Sequence, residues 1–249
     1  MKMDRIIAVR NHKTVYRDGS LCLKVFDETY SKADILAEAL NQARAEETGL
    51  HIPQIREVTV IDGKWSIVTD YIKGKTLEQL MAEHPEKKND YLNRFADLQL
   101  EVLSKFCPLL PKLRDKMDRK IDLTDFDATT RYALHMYLNS MPKHTKLCHG
   151  DFKPSNILVS EDGTPYILDW AHATQGNASA DAAGTYLRFW LAGDIDGAER
   201  YLKLFCIKSD TAKQYVQKWM PIVAAAQTIT GNEKEREFLH SWVNVVDFE

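Results

Sequence analysis

Three oxygen-bearing side chains fall at spacings that can do chemistry. In His149-Gly150-Asp151-Phe152-Lys153-Pro154-Ser155-Asn156-Ile157-Leu158, Asp151 precedes Asn156 by five positions; Asp169 follows in Ile167-Leu168-Asp169-Trp170, a charge among apolar residues. A carboxylate can orient a hydroxyl and take its proton. A carboxamide oxygen and a second carboxylate can hold a hard cation such as Mg2+, which prefers oxygen and keeps several of its waters. These are the needs of phosphoryl transfer from ATP to an alcohol. Asp151 is then the candidate base, with Asn156 and Asp169 as candidate Mg2+ ligands. A strand–turn–strand between the last two, turning at Glu161-Asp162-Gly163, would bring them together.

Other elements must position these groups. Ile6 to Val9 reads as a strand; Thr14 to Arg17 and Leu21 to Phe26 flank Asp18-Gly19, a hairpin turn. Ser31 with Asp34 resembles a capping box, and Ile35, Leu36, Ala39, Leu40 and Ala43 follow at helical spacing up to Gly49. A second hairpin joins Val58–Ile61 to Trp65–Tyr71 through Asp62-Gly63, and Gly74 reads as a hinge. Beyond it the pattern is mostly helical. Thr76 caps a short helix over Leu77–Glu83, and Leu92, Phe95, Ala96, Leu103 and Phe106 share one face of a longer one. Pro108 and Pro111 break the chain, Asp127–Ser140 is helical, Lys146–Trp170 has the period of short strands, and helices resume from about Ala180. No internal repeat or low-complexity run interrupts this order. The expected class is α+β, with a small antiparallel-sheet lobe over residues 1–73 and a helical lobe over 74–249.

The segment around Asp151 resembles the protein-kinase catalytic loop, H-R-D-x-x-x-x-N followed by D-F-G. It is more similar to the aminoglycoside phosphotransferase and choline kinase family, in which H-G-D-x-x-x-x-N and D-W or D-F are usual. Only residues 149–170 match tightly; elsewhere the likeness is one of order and spacing. The resemblance implies a two-lobed protein-kinase-like fold and partners upstream. Lys24, in the apolar strand Leu21–Phe26, would hold the α- and β-phosphates of ATP, and Glu38 on the following helix would fix Lys24. The backbone of Asp70, Tyr71 and Ile72, in Val68-Thr69-Asp70-Tyr71-Ile72-Lys73-Gly74, would meet adenine. Lys153 would approach the γ-phosphate as a catalytic contact, His149 would hydrogen-bond within its loop, and Asp181 would anchor it.

The chain departs from protein kinases in three places. No G-x-G-x-x-G covers the phosphates, since the first loop is Arg10-Asn11-His12-Lys13-Thr14, where Lys13 or Thr14 could touch phosphate or simply be solvated. Gly150 stands where many protein kinases have arginine, and nothing after Asp169 resembles A-P-E. Residues 171–180 are few and small, too little for a peptide platform.

The acceptor is less legible. Asp194, Asp196, Glu199, Glu233, Glu235, Glu237, Asp247 and Glu249 could form the acidic pocket a polycationic aminoglycoside needs, although scattered helical acids are more often solvated. Tyr186, Trp190, Trp219 and Trp242 could box a quaternary ammonium as in choline recognition, although such aromatics are more often core.

Composition bounds the rest. The 249 residues, 44% hydrophobic and 28% charged, can bury a sizeable core, and a net charge of -3 favours neither nucleic acid nor an anionic membrane as partner. Cys22, Cys107, Cys148 and Cys206 form no C-x-x-C pair and read as buried thiols of a reducing compartment. Met1-Lys2-Met3-Asp4-Arg5 leads into no signal-peptide core, and no run approaches a membrane span, which favours the cytoplasm. The expectation is an ATP- and Mg2+-dependent kinase of a small hydroxylated molecule (an aminoglycoside-like antibiotic, an amino alcohol such as choline, or a sugar-like metabolite), acting as monomer or homodimer. The alternatives are a nucleotide-binding pseudokinase and a protein Ser/Thr kinase.

Overall fold

The computed structural model of the chain describes residues 5–10 and 12–243. Met1–Asp4, Asn11 of the first loop, and Asp247 and Glu249 of the late acids lie outside the described residues. The described chain divides into two compact units that are not contiguous in sequence: residues 1–83 with 154–173, and residues 84–153 with 174–249. The hinge reading drew its boundary at 73/74.

The first unit opens with strands β1 (Arg5–Arg10), β2 (Lys13–Asp18) and β3 (Leu21–Phe26), helix α1 (Lys32–Glu46), and strands β4 (Ile55–Ile61) and β5 (Lys64–Asp70). The strands form one antiparallel sheet in the order β1-β2-β3-β5-β4. Its turns lie where the sequence signals them. Asp62 and Gly63 both take positive φ (48° and 79°) between β4 and β5, the backbone that Asp-Gly turns favour. Ser31 caps α1 by accepting from the Asp34 N–H at 3.1 Å.

The buried face of α1 differs from the apolar reading. Ile35 and Ala39 pack with Phe26 and Ile67, but Leu36 and Leu40 are exposed, while Glu38, Asn41 and Gln42 are buried. Hydrogen bonds account for this inversion: Gln42 donates to Pro53 O (2.7 Å) and Asn41 to Ala171 O (3.3 Å). A buried polar group is tolerated once bonded.

The unit continues with β6 (Gly74–Thr76) and α2 (Leu77–Glu83), which Thr76 caps reciprocally with Gln79. In the second unit, α3 (Lys88–Ser104) carries Leu92, Phe95, Ala96 and Leu103 inward as expected, whereas Phe106 lies beyond the helix and is exposed. Helix α4 (Leu113–Asp122) has no counterpart in the sequence reading. Its apolar stripe is only Leu113, Met117 and Ile121, too narrow to announce itself among the seven charged residues of the same helix. Then come α5 (Ala128–Ser140), capped by Asp127, and β7 (Lys146–Cys148).

The chain returns to the first unit for β8 (Ile157–Ser160) and β9 (Pro165–Ile167), which form a three-stranded sheet in the order β6-β8-β9. It then re-enters the second unit with β10 (Thr174–Gly176), paired with β7. Helices α6 (Ala178–Leu191), α7 (Ile195–Ser209), α8 (Lys213–Gln217), α9 (Met220–Thr228) and α10 (Glu233–His240) complete it. Phe95 meets Phe152, Phe189 and Tyr201 in the core of this unit. No described helix is long and apolar enough to cross a membrane.

Gly74 is a packing glycine of β6. A Cβ there would stand 2.1 Å from the Val159 carbonyl oxygen on β8. Gly74→Ala should therefore push the two strands apart and destabilise the protein by about 1–3 kcal/mol. Urea denaturation checks this, and an unchanged midpoint would contradict the close approach. All four thiols are free, but only Cys107 and Cys148 are buried; Cys22 and Cys206 are half-buried, so the expectation of four buried thiols fails for those two. Cys22 lies in the lining of a cavity.

Candidate active site

Within the first unit, strand alternation puts Lys24 on the same face of β3 as Phe26, toward α1. Glu38 lies one helical turn after Ile35, so it too faces the sheet. The result is an ion pair between Lys24 and Glu38. Lys24 also reaches Asp169 Oδ1 at 3.3 Å, and Lys13 from β2 reaches Asp169 Oδ2 at 3.6 Å. Burial alone lowers the Lys24 pKa, but the Asp169 and Glu38 carboxylates outweigh it and hold this lysine well above its ordinary value. The other Glu38 oxygen, Oε2, is buried without a hydrogen-bond partner.

Asp169 has left-handed backbone (φ 64°, ψ 67°), immediately before a short 3-10 helix at Trp170–His172. Such strain in a non-glycine residue is characteristic of functional positions. The β8–β9 hairpin returns the chain as its turn signal predicts, and the Leu168 N–H donates to Asn156 O at 2.8 Å. Asn156 and Asp169 line one cavity, with Lys13, Cys22, Lys24, Ile67 and Thr69 to Ile72 around it. No group of three or more metal-ligating His, Cys, Asp or Glu side chains occurs among the described residues.

The strand end has a specific bonding pattern. The N–H of Asp70 donates to Gln54 O (3.0 Å), and that of Tyr71 to Ser20 O (2.8 Å). The Asp70 carboxylate is held by Arg56 at 2.7 and 2.9 Å. Of the three expected adenine contacts, the two N–H donors of Asp70 and Tyr71 are therefore engaged within the fold.

In the second unit, Asp151 sits between two cations. Arg188 Nε donates to Oδ1 at 2.6 Å, and Lys153 Nζ lies 2.9 Å from Oδ2. Burial raises the Asp151 pKa, but Arg188 and Lys153 outweigh it and bring it to about 2. His149 is fully buried and its Nδ1 accepts from the Asp151 N–H at 3.2 Å. Asp181 accepts from the Gly150 N–H at 2.7 Å and from Gln99 at 3.1 Å, while Thr185 donates to Phe152 O at 3.0 Å. Thus α3 and α6 brace the loop that carries Asp151.

Arg188 is the residue the sequence reading missed. Its signal was a lone arginine in the otherwise apolar stretch Thr185-Tyr186-Leu187-Arg188-Phe189-Trp190-Leu191. Three of the late acids, and the aromatics named with them, have structural contacts. Asp194 caps α7 and pairs with Lys88, Glu235 completes a capping box, and Glu199 bonds Tyr186 and Lys213. Tyr186 and Trp219 are buried, and Tyr186, Trp190 and Trp242 pack on one another.

A profile of the phosphotransferase enzyme family matches residues 8–215, which spans the Lys24 strand, the Asp151 loop and Asp169. The chain belongs to that family. Solved structures similar to this phosphotransferase include a choline/ethanolamine kinase family protein from Mesorhizobium loti, at 14% identity and a TM-score of 0.64, covering 100% of this chain and 90% of that one. A thermostable mutant of aminoglycoside phosphotransferase APH(4)-Ia, in ternary complex with AMP-PNP and hygromycin B, is 15% identical with a TM-score of 0.69, covering 96% and 90%. Choline kinase LicA from Streptococcus pneumoniae is 13% identical with a TM-score of 0.65, covering 95% and 90%. A search of curated proteins returned no match. The phosphotransferase thus has the protein-kinase-like fold expected of it, an antiparallel sheet followed by a helical region.

Proposed function

We propose that this phosphotransferase moves the γ-phosphate of ATP to a hydroxyl of a small molecule, with Mg2+ as cofactor. The observation that carries the reading is the chain of charges Glu38–Lys24–Asp169, drawn from a helix, a strand and a hairpin end. Lys24, kept protonated by two carboxylates, holds the α- and β-phosphates; Glu38 fixes its ammonium. Ile72 supplies the adenine-facing N–H, with backbone carbonyls of Asp70 to Ile72 as acceptors. Asn156 and Asp169, an amide and a carboxylate on one cavity, suit a hard cation that keeps its waters. Bound there, Mg2+ would neutralise charge on the nucleotide phosphates.

The remaining work is done by side chains of this chain. Asp151 orients the acceptor hydroxyl and receives its proton, Lys153 contacts the transferred phosphoryl group, and His149 and Asp181 keep the loop in place. In lobe terms, residues 1–73 bind nucleotide and 74–249 carry catalysis and the acceptor. The similarity to structures holding AMP-PNP and hygromycin B supports a nucleotide and a hydroxylated small molecule as substrates. The protein acts in the cytoplasm, as monomer or homodimer, consistent with four free thiols.

The test is substrate-dependent ADP release across hydroxylated metabolites and antibiotics. At least one compound far smaller than a peptide should be phosphorylated on oxygen. Silence across the screen, together with phosphorylation of a purified protein on Ser or Thr, would overturn the reading; nucleotide binding without any turnover would point to a pseudokinase.

A further inference from the structure

We propose that Lys13 is a second phosphate-binding lysine, and that it trades Asp169 for the phosphates of ATP when the nucleotide enters. The inference deepens the function proposed above and rests on the cavity of Lys24 and Asp169 being the nucleotide site.

Lys13 and Thr14 are neighbours at the start of β2, and strand geometry separates them. Antiparallel pairing sets Val15 opposite Lys24, Lys13 opposite Phe26 and Thr14 opposite Val25. Cross-strand partners share a face and successive residues alternate. Lys13 and Val15 therefore lie on the Lys24 face, and both line the cavity with Lys24, Asn156 and Asp169. Thr14 lies on the other face with Val25, whose neighbours are Leu23 and Val68. The Lys13 side chain is only 16% exposed; its Nζ lies 3.6 Å from Asp169 Oδ2, while Lys24 takes Oδ1 at 3.3 Å. One carboxylate serves two ammonium groups.

Only Asn11 and His12 join β1 to β2, too short a link for the run of backbone N–H groups that a glycine-rich loop offers to phosphate. The link is anchored instead. His12 takes left-handed backbone (φ 65°), and its carbonyl accepts from the Asp27 N–H at 2.9 Å. Its Nδ1 lies 2.9 Å from Thr29 Oγ1 and 3.2 Å from Asp27 Oδ2. These contacts fix the start of β2, from which Lys13 reaches the cavity. A side-chain ammonium then supplies the positive charge that backbone N–H groups would otherwise supply. Asp169, as a carboxylate suited to Mg2+, cannot serve the metal and two lysines equally. A polyphosphate in the same cavity offers both lysines anionic oxygens. The exchange conserves ion pairs: the ammonium groups pass to phosphate and the Asp169 carboxylate is left for the cation. Lys13 should therefore oppose metal binding without nucleotide and favour nucleotide binding.

The experiment titrates adenosine and Mg·ATP into the protein by calorimetry, and follows Mn2+, which suits the same oxygen ligands, by its paramagnetic resonance without nucleotide. Lys13→Met should weaken Mg·ATP about tenfold or more, with adenosine affinity unchanged, and Lys13→Arg should restore most of the loss. Without nucleotide, Lys13→Met should bind Mn2+ about two- to fivefold more tightly than wild type, because Asp169 has lost one competing cation. A folding defect would weaken all three ligands, so the opposite signs separate a phosphate contact from a structural role. The inference is overturned if adenosine weakens along with ATP, if ATP affinity is unaffected, or if nucleotide-free Mn2+ affinity is unchanged or falls. Wild-type turnover of a small alcohol would in each of those cases leave the proposed function standing. If the Lys13 effects appear and no hydroxyl compound is phosphorylated, the phosphate contact stands and the phosphotransfer reading fails.

Discussion

Asp151→Asn should lower kcat by about 10²–10⁴-fold, the contribution typical of a positioned general base, and leave Mg·ATP affinity close to wild type. The transition state of phosphoryl transfer is loose, so the carboxylate mostly orients the alcohol and takes its proton late. Asparagine keeps the size and hydrogen-bonding reach while removing charge and basicity. Nucleotide affinity should persist because the groups proposed to hold ATP belong to other segments. The pH dependence offers a second check. With its pKa at about 2, Asp151 stays ionised throughout the working range, so its protonation should produce no acid limb in kcat/KM above about pH 4.

The same depression links Asp151 to stability. A carboxylate whose folded pKa lies below the unfolded value of about 3.9 contributes stability above that value and loses it as pH falls toward 2. Urea unfolding followed from pH 5 to pH 2 should show this decline in wild type and a smaller one in Asp151→Asn. Because Arg188 and Lys153 then lose their partner, unfolding at pH 7 must accompany the kinetics. A properly folded Asp151→Asn protein that turns over a true substrate within about threefold of wild type would remove Asp151 from the mechanism.

The second large effect concerns Asp169. Asp169→Asn should abolish most Mg2+-dependent nucleotide binding and reduce turnover by about 10³-fold or more, since metal stabilisation of developing charge is worth several kcal/mol and each 1.36 kcal/mol is tenfold. Asparagine is the sharper variant because it tolerates left-handed backbone, whereas alanine at φ 64° adds conformational strain. The substitution also takes one carboxylate from Lys24 and Lys13, leaving Lys24 with Glu38 alone. Calorimetry with and without Mg2+ reads both consequences. An unchanged difference between Mg·ATP and metal-free ATP affinity would sink the ligand assignment.

Much of this site is local in origin. The Asp151–Asn156 spacing, the hairpin to Asp169, the Asp18-Gly19 and Asp62-Gly63 turns, and the alternation that sends Lys24 inward all follow from rules acting over a few residues. So do the caps at Ser31, Thr76 and Asp127. The sequence by itself therefore determined the family resemblance, the order of most elements apart from α4, and the candidate residues Asp151, Asn156, Asp169 and Lys24. Tertiary structure decided which helix faces are buried. Leu36 and Leu40 of α1 suited the core as well as any residue, yet Glu38, Asn41 and Gln42 turn inward because partners on other segments satisfy them. It also decided the electrostatics around Asp151. Arg188 lies 37 positions from Asp151. A side chain's charge is written in its own residue, but the energy of that charge depends on burial and on neighbours supplied by distant parts of the chain, which only the packed helices bring together.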